Sequence, residues 1–238
     1  MKTRLDQRLV QEGLVASRSQ AESYIKLGQV TVNKKAITKP GFMVNEGDEI
    51  KLTAAEQYVS RAGLKLASVA EALSLDFQGK TVLDIGSSTG GFTDYALRHG
   101  AREVIAVDVG TNQLHPSLRT DKRVKLHEKT DIRAFQTAAK IDLVLADLSF
   151  ISLREILPKV AALASKETRL AVMVKPQFEA GQSSLKHKGV IKNDRMRRDI
   201  LKDFESWVSG QFIILDKADS QVAGSKGNRE RFYLLRKG

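Results

Sequence analysis

The chain has 238 residues, 42% of them apolar, a formal net charge of +11 and no cysteine. This composition excludes a disulfide scaffold and thiolate metal sites, and it supplies enough apolar surface for a packed core. The N-terminus has no signal-peptide core and no run of about 18 apolar residues occurs, so the reading is a cytoplasmic protein without a membrane-spanning helix.

Residues 4–12 and 18–27 read as short amphipathic helices, with Leu5 and Leu9, then Ala21 and Ile25, on one face. Ser17 is a candidate cap for the second and Gly28 a candidate stop. The adjoining "QVTVNKKAITKPGFMVNEGDEIKL" has the alternation and turn residues of short strands. Through "RLDQRLV", "SRSQAESYIKLGQVTVNKK" and "GDEIKL", residues 1–52 resemble the S4 RNA-binding module. The resemblance implies a small α+β domain whose helices turn Arg4, Arg18, Gln20 and Lys26 toward structured RNA. Residues 53–59, "TAAEQYV", read as a short linker in which Tyr58 and Val59 pack against the second unit of the chain.

From Ser60 to residue 238 helix and strand alternate. "RAGLKLASVAEALSL" is a helix capped by Ser60, and strands are expected at "TVLDIG", "EVIAVDV", "RVKLHE", "IDLVLADL", "RLAVMVKP", "FIILDKA" and "RERFYLLRKG". Such alternation specifies an α/β fold with a doubly wound, mainly parallel sheet. Nine basic against six acidic residues give positions 1–52 a net +3, which leaves +8 for the rest. The positive charge is not a single tail, and a polyanion such as nucleic acid is the first partner to consider. The runs "RTDKRVKLH" and "KHKGVIKNDRMRR" place part of it on the second unit, where solvated charge is the default reading.

"GSSTG", residues 86–90, fits two incompatible templates. As G-x-S-x-G it would present Ser88 as a hydrolase nucleophile, which needs a later acid and histidine. Only His187 lies late enough, and Ser88 follows the first strand, whereas an elbow serine comes after several strands of its sheet. As a strand-to-helix turn it would cradle a nucleotide-like cofactor, with Gly86, Gly90 and Gly91 allowing close backbone approach. Asp108 ends the next strand, where a carboxylate accepts from ribose hydroxyls. The loop lacks the G-x-G-x-x-G order of a pyrophosphate site, and Asp84 would repel phosphates yet suit a cationic methionine portion. A methyl-donor site is favoured. Asp131, after the third strand, is the acceptor for an adenine amino group, a cap before "IRAF", or both.

Asp147 follows "IDLVLA", Lys175 follows "RLAVMV", Glu230 opens the last strand, and Lys65 lies on the helix before the first. A lysine ending an apolar strand is costly to bury unless it is paired. Through "SRAGLKL", "LDIGSSTGGFTD", "ADLSFISL", "VKPQFE" and "GNRE", residues 60–238 resemble FtsJ-type ribose 2′-O-methyltransferases. With the N-terminal module, the whole chain resembles the TlyA (hemolysin A) family of ribosomal RNA methyltransferases. The resemblance implies a Rossmann-like sheet binding S-adenosyl-L-methionine, and cytidine of ribosomal RNA or ribosomal subunits as substrate. It puts the catalytic tetrad on Lys65, Asp147, Lys175 and Glu230, with no metal required. Donor contacts fall on Asp84, Gly86, Ser87, Gly90, Gly91, Phe92, Asp108, Val109, Asp131 and Asp147. Like-charge repulsion from Lys65 and partial burial are expected to help Lys175 release its proton, while Asp147 and Glu230 position the two lysines and limit that effect. One departure is Gln221, where the family commonly has proline. Two rival readings are a catalytically silent RNA-binding or assembly factor, and a membrane-active hemolysin.

Overall fold

The computed structural model describes residues 2–180, 189–191, 193–224 and 226–238. The N-terminal unit runs β1 (Thr3–Arg4), α1 (Leu5–Gln11), α2 (Arg18–Lys26), β2 (Val30–Val32), β3 (Lys35–Ala36), β4 (Met43–Val44) and β5 (Ile50–Leu52). β3, β2 and β5 form an antiparallel sheet in that order. The first helix starts later than the apolar pattern suggests, because Arg4 is taken up in a ladder with Met43. Ser17 caps α2 by accepting from Gln20 N, and Gly28 comes after the helix at φ +71°.

The second unit runs α3 (Arg61–Ala70), β6 (Thr81–Ile85), α4 (Gly91–Arg98), β7 (Glu103–Val107), α5 (Pro116–Arg119), β8 (Val124–His127) and β9 (Leu143–Ala146). It continues with α6 (Leu153–Leu163), β10 (Arg169–Val174), α7 (Pro176–Glu179), α8 (Asp194–Val208), β11 (Phe212–Asp219) and β12 (Arg231–Lys237). The seven strands lie in the order β11-β12-β10-β9-β6-β7-β8. β8, β7, β6, β9 and β10 are mutually parallel, and β12 runs against both β10 and β11. This is the doubly wound α/β architecture the sequence pattern specifies, with one reversed strand. "IRAF" forms only a turn, in which Ala134 and Phe135 donate to the Asp131 carbonyl.

Period-two side-chain alternation sends Val82 to one face of the sheet and Leu83 to the other, so β6 is buried on both sides. Residues of α3 and α4 cover the first face and residues of α6 and α8 the second. The first cluster continues without a break into Leu5, Leu9, Tyr24 and Ile25 of the N-terminal unit. Tyr58 bridges the two, its ring 5.4 Å from that of Tyr95. Val59 N donates to Asp94 Oδ2 at 2.8 Å.

Gln20 corrects the sequence reading. It is only 5% exposed, its Nε2 donates to the Tyr58 carbonyl at 2.7 Å, and its Oε1 accepts from Ala16 N. Its place on the inward side of α2 makes it a strut to the linker instead of an RNA-facing side chain.

Gly90 and Gly91 correct it too. A Cβ on Gly90 would lie 2.7 Å from Leu114 Cδ1, and one on Gly91 would collide with Ser60 Oγ and lie 2.6 Å from Gly63 N. Their missing side chains let α3 and the loop before α5 close on α4; they do not open space for a ligand. Gly91→Ala should therefore destabilise the fold by about 1–3 kcal/mol through overpacking. In a chain of this size that lowers Tm by roughly 2–4 °C per kcal/mol. An unchanged melting curve would refute the close approach.

Candidate active site

The parallel strands β6, β7, β9 and β10 deliver Asp84, Asp108, Asp147 and Lys175 to one edge of the sheet. Because β12 runs the opposite way and Arg231 pairs with Val174, the start of β12 lies at that same edge. Glu230 is thus brought beside residues far earlier in the chain. α3 supplies Lys65 from above. Lys65 Nζ lies 2.5 Å from Glu230 Oε2, both almost fully buried. Lys175 Nζ lies 2.5 Å from Asp147 Oδ1 and donates to Ser149 Oγ at 2.8 Å. All four side chains line one cavity of about 410 Å³. Each lysine faces its own carboxylate, so the cluster is two ion pairs, with Asp147 and Glu230 holding the lysines.

A second cleft, of about 480 Å³, adjoins the first through Asp147, Ser149 and Phe150. Gly86, Asp108, Val109 and Asp131 line it. Gly86 has φ +78°, and a Cβ there would lie 2.7 Å from the Asp147 carbonyl oxygen, so only glycine fits. Asp108 is aimed by two backbone donors, Ser88 N onto Oδ2 at 2.8 Å and Gly110 N onto Oδ1 at 2.7 Å. Each oxygen retains acceptor capacity toward the cleft. Asp131 sits at the far end, gripped on both oxygens by Arg133, whose guanidinium holds its carboxyl below the usual range. It also accepts from Arg133 N, so it caps a turn.

Between the two lies a small polar space of about 140 Å³ touching Asp84, Ser87 and Phe92. Asp84 is 1% exposed, and Thr93 Oγ1 donates to its Oδ2 at 2.6 Å. Asp84 Oδ1 and Ser87 Oγ are buried without a hydrogen-bond partner. Orphaned acceptors of this kind fit a ligand bearing N–H donors or positive charge, and they repel phosphate. Phe92 closes the floor, its ring 5.8 Å from that of Phe232. The hydrolase template fails on geometry: Ser88 Oγ donates to Gln113 Oε1. Among the described histidines, His99 stacks on Tyr95, His115 caps α5, and His127 packs on Phe135. His187 lies outside the described residues.

On the N-terminal unit, Arg4 and Arg18 converge on Asp6, which is fully buried. Burial alone would raise the Asp6 carboxyl, but hydrogen bonds from the two arginines outweigh it and hold the group below the ordinary carboxylate range. The arginines remain half-exposed at the surface, and Lys26 is more open still. In the basic runs, Arg119 pairs with Glu128, Arg123 with Asp121, and Arg197 is buried against Asp219. Residues 186–188 and 192 of the second run lie outside the described residues.

Sequence reasoning missed Asp6, Thr93 and Ser149, the partners that aim the expected side chains. It also missed Phe150, which is 91% exposed at φ +67° between the two cavities, its ring 5.2 Å from that of Phe178. An aromatic inside the "ADLSFISL" motif is the signal that was available. Among the described residues no helix is long and apolar enough to cross a membrane, and no three His, Asp or Glu side chains gather as metal ligands.

A parallel sheet with one reversed strand, a glycine turn after its first strand and an acid after its second define an α/β enzyme of the methyltransferase class. The family model of FtsJ-like methyltransferases matches residues 58–237, and that of the S4 domain matches residues 3–50. The chain is 36% identical to the 16S/23S rRNA (cytidine-2′-O)-methyltransferase TlyA of Mycobacterium tuberculosis, over 99% of this chain and 90% of that protein. It is 35% identical to hemolysin A of Brachyspira hyodysenteriae, over 95% and 97%. The solved structure of a hemolysin-named protein from Streptococcus thermophilus superposes with a TM-score of 0.73 at 36% identity, covering 99% of this chain and 88% of that one. The chain belongs to the FtsJ-like methyltransferase family, in the group that carries an S4 domain and includes the proteins named TlyA and hemolysin A.

Burial pushes the Asp84 carboxyl up to about 7; the Thr93 hydrogen bond opposes this and the negative charge of Asp147 adds to it. A folded-state value above the unfolded one means the folded protein is penalised as pH rises from about 4 to about 7, by about 4 kcal/mol when complete. Asp84→Asn, which cannot ionise, should raise the Tm of the ligand-free protein at pH 8. The gain should shrink on acidification and vanish near pH 4. A gain independent of pH would rule out titration of Asp84 as its cause.

Proposed function

We propose that the chain transfers a methyl group from S-adenosyl-L-methionine to a ribose 2′-hydroxyl of ribosomal RNA, on cytidine, in the cytoplasm where ribosomal subunits mature. The observation that carries this reading is the pair of lysine–carboxylate contacts in a cavity that adjoins an orphaned buried carboxylate oxygen. In this reading residues 1–52 are an RNA-binding domain, 53–59 a linker and 60–238 the catalytic domain. The relatives named as ribosomal RNA methyltransferases support the substrate class, and the excess positive charge supports a polyanionic partner.

S-adenosylmethionine, when bound, supplies a methyl already activated by a sulfonium charge. Asp108 holds the ribose hydroxyls, Asp131 accepts from the adenine amino group, and the backbone at Gly86 and Val109 borders the nucleoside. Asp84 Oδ1 and Ser87 Oγ receive the cationic methionine portion. A cation there favours the ionised form of Asp84 and removes the penalty of burying it alone. Phe92 excludes water from below.

The work left to the chain is alignment and proton removal, since a ribose hydroxyl is far from ionised at neutral pH. Lys175, once it has released its own proton to solvent, takes the hydroxyl proton as the methyl passes from sulfur to oxygen. Asp147 and Ser149 fix its Nζ by accepting from the two N–H groups of the neutral amine, which leaves its lone pair to the hydroxyl. Lys65, anchored by Glu230, stabilises negative charge developing on the attacking oxygen. All four members are present and paired, which favours an active enzyme over a silent assembly factor. The hemolysin name of some relatives adds no site to this reading.

Transfer of labelled methyl to isolated ribosomal subunits and to naked ribosomal RNA tests the proposal directly. Lys175→Ala should lower the rate by at least about a hundredfold with donor binding retained. Lys175→Arg should fail as well, because guanidinium does not give up its proton. A fully active arginine variant would overturn the role as base. Asp108→Ala should weaken donor binding by calorimetry about tenfold to a hundredfold, the worth of charge-assisted hydrogen bonds. Unchanged affinity would remove Asp108 from the site.

A further inference from the structure

The tetrad accounts for only part of the charge in its cavity. Arg61, Lys65, Lys175 and Lys226 line it together with Asp147 and Glu230, four cations against two carboxylates. Lys65 and Lys175 are neutralised by their partners. Arg61 and Lys226 pair with no carboxylate and have no side-chain hydrogen-bond partner among the described residues. Arg154 and Arg231, which are partly enclosed as Arg61 is, are each drawn into an ion pair. Two cations left over at the rim of an otherwise neutral site mark where negative charge is to arrive.

Their placement is a product of the fold. Arg61 and Lys65 are four residues apart on α3, so their side chains share one helical face and the cavity that holds Lys65 also receives Arg61. Lys226 lies in the turn closed by Gly227 N donating to the Gly224 carbonyl, on the loop that leads to Glu230. The Lys65–Glu230 contact therefore joins the two elements that carry the free cations and fixes the spacing between them.

Ribose chemistry says what the negative charge is. In an internal ribonucleotide the 3′-phosphodiester is bonded to the carbon next to the one bearing the 2′-hydroxyl. A ribose seated with its 2′-oxygen at Lys175 brings that phosphodiester into the same cavity. The tetrad cannot neutralise it without breaking one of its own pairs. We infer that Arg61 and Lys226 form a phosphate subsite that binds the phosphodiester 3′ to the methylated ribose. Arg61 is the principal contact, through a guanidinium that can take two phosphate oxygens at once, and Lys226 contributes a point charge. The subsite rests on the ribose-methylation reading and deepens it: the substrate is an internal nucleotide of an RNA strand, not a free nucleoside or a strand end lacking its 3′-phosphate.

The test uses the full chain, tritium-labelled S-adenosylmethionine and bacterial ribosomal subunits, with wild type, Arg61→Gln, Arg61→Lys, Lys226→Gln and the Arg61→Gln/Lys226→Gln double variant. Arg61→Gln should raise KM for the subunits about tenfold, and the double variant more. Arg61→Lys should recover part of the loss. Donor affinity by calorimetry should match wild type in all of them. For the salt dependence of RNA affinity, the logarithmic slope should become shallower by about 0.7 for each phosphate contact removed. Wild-type KM and salt slope in the double variant, with wild-type enzyme active, would overturn the subsite alone. Loss of donor binding in Arg61→Gln would place Arg61 in the donor cleft and also overturn it. No transfer by the wild-type enzyme to either subunit would instead sink the reading on which the subsite rests.

Discussion

The contact between Lys65 and Glu230 joins the first helix of the catalytic unit to its last strand. Both side chains are almost fully withdrawn from water, so each charge is tolerable only because the other is 2.5 Å away. Three features of the fold exist in a form that permits this. β12 is inserted in reverse between β10 and β11, which turns its start toward the carboxyl ends of the parallel strands. α3 approaches α4 closely enough for Ser60 and Gly63 to touch Gly91. Arg197 on α8 donates to the Arg229 carbonyl and to Asp219, which fastens the chain leading into Glu230. A buried ion pair is rarely a net source of stability. Here its effect is to specify which helix and which strand end meet.

The cleft that results is graded in charge. At its floor Asp84 carries an unsatisfied oxygen and a carboxyl pushed up to about 7, a site that gains from a cation. At its middle two lysines and two carboxylates cancel. At its rim Arg61 and Lys226 remain uncompensated. On the proposed reading, a donor with a positive sulfur and an acceptor strand with negative phosphates are thus drawn to opposite ends of one space. Neither is attracted to the other's place.

The strands were legible because burial on both faces demands unbroken apolar runs, and "TVLDI", "LVLA" and "RLAVMV" come close to that pattern. Strand-end residues were legible for the same reason: a charge that ends an apolar run stands out. Pairing was not. Nothing in the spacing of Lys65, Asp147, Lys175 and Glu230 says which carboxylate each lysine meets, since that depends on the direction of β12. Gln20 and Arg4 are polar residues on or beside short helices, and sequence pattern places both outward. Only the docked linker shows that Gln20 is enclosed, and only the turn at Gly41 shows Arg4 folded back toward Asp6. Gly90 and Gly91 were read as ligand-facing because a glycine cluster after a strand has two uses, and helix packing leaves the same mark.

The linker has a mechanical consequence. Gln20 from one side and Asp94 from the other hold Tyr58 and Val59 by hydrogen bonds, and the apolar cluster runs through them. Two modules joined by a slack chain meet their targets independently, and their combined reach is an average over many separations. A docked linker replaces that average with one value. On the proposed reading, the offset between the arginines on Asp6 and the lysines of the tetrad then works as a ruler. A nucleotide is selected by how far it stands from a second feature of folded RNA, so different local sequences at the same distance can serve as substrates.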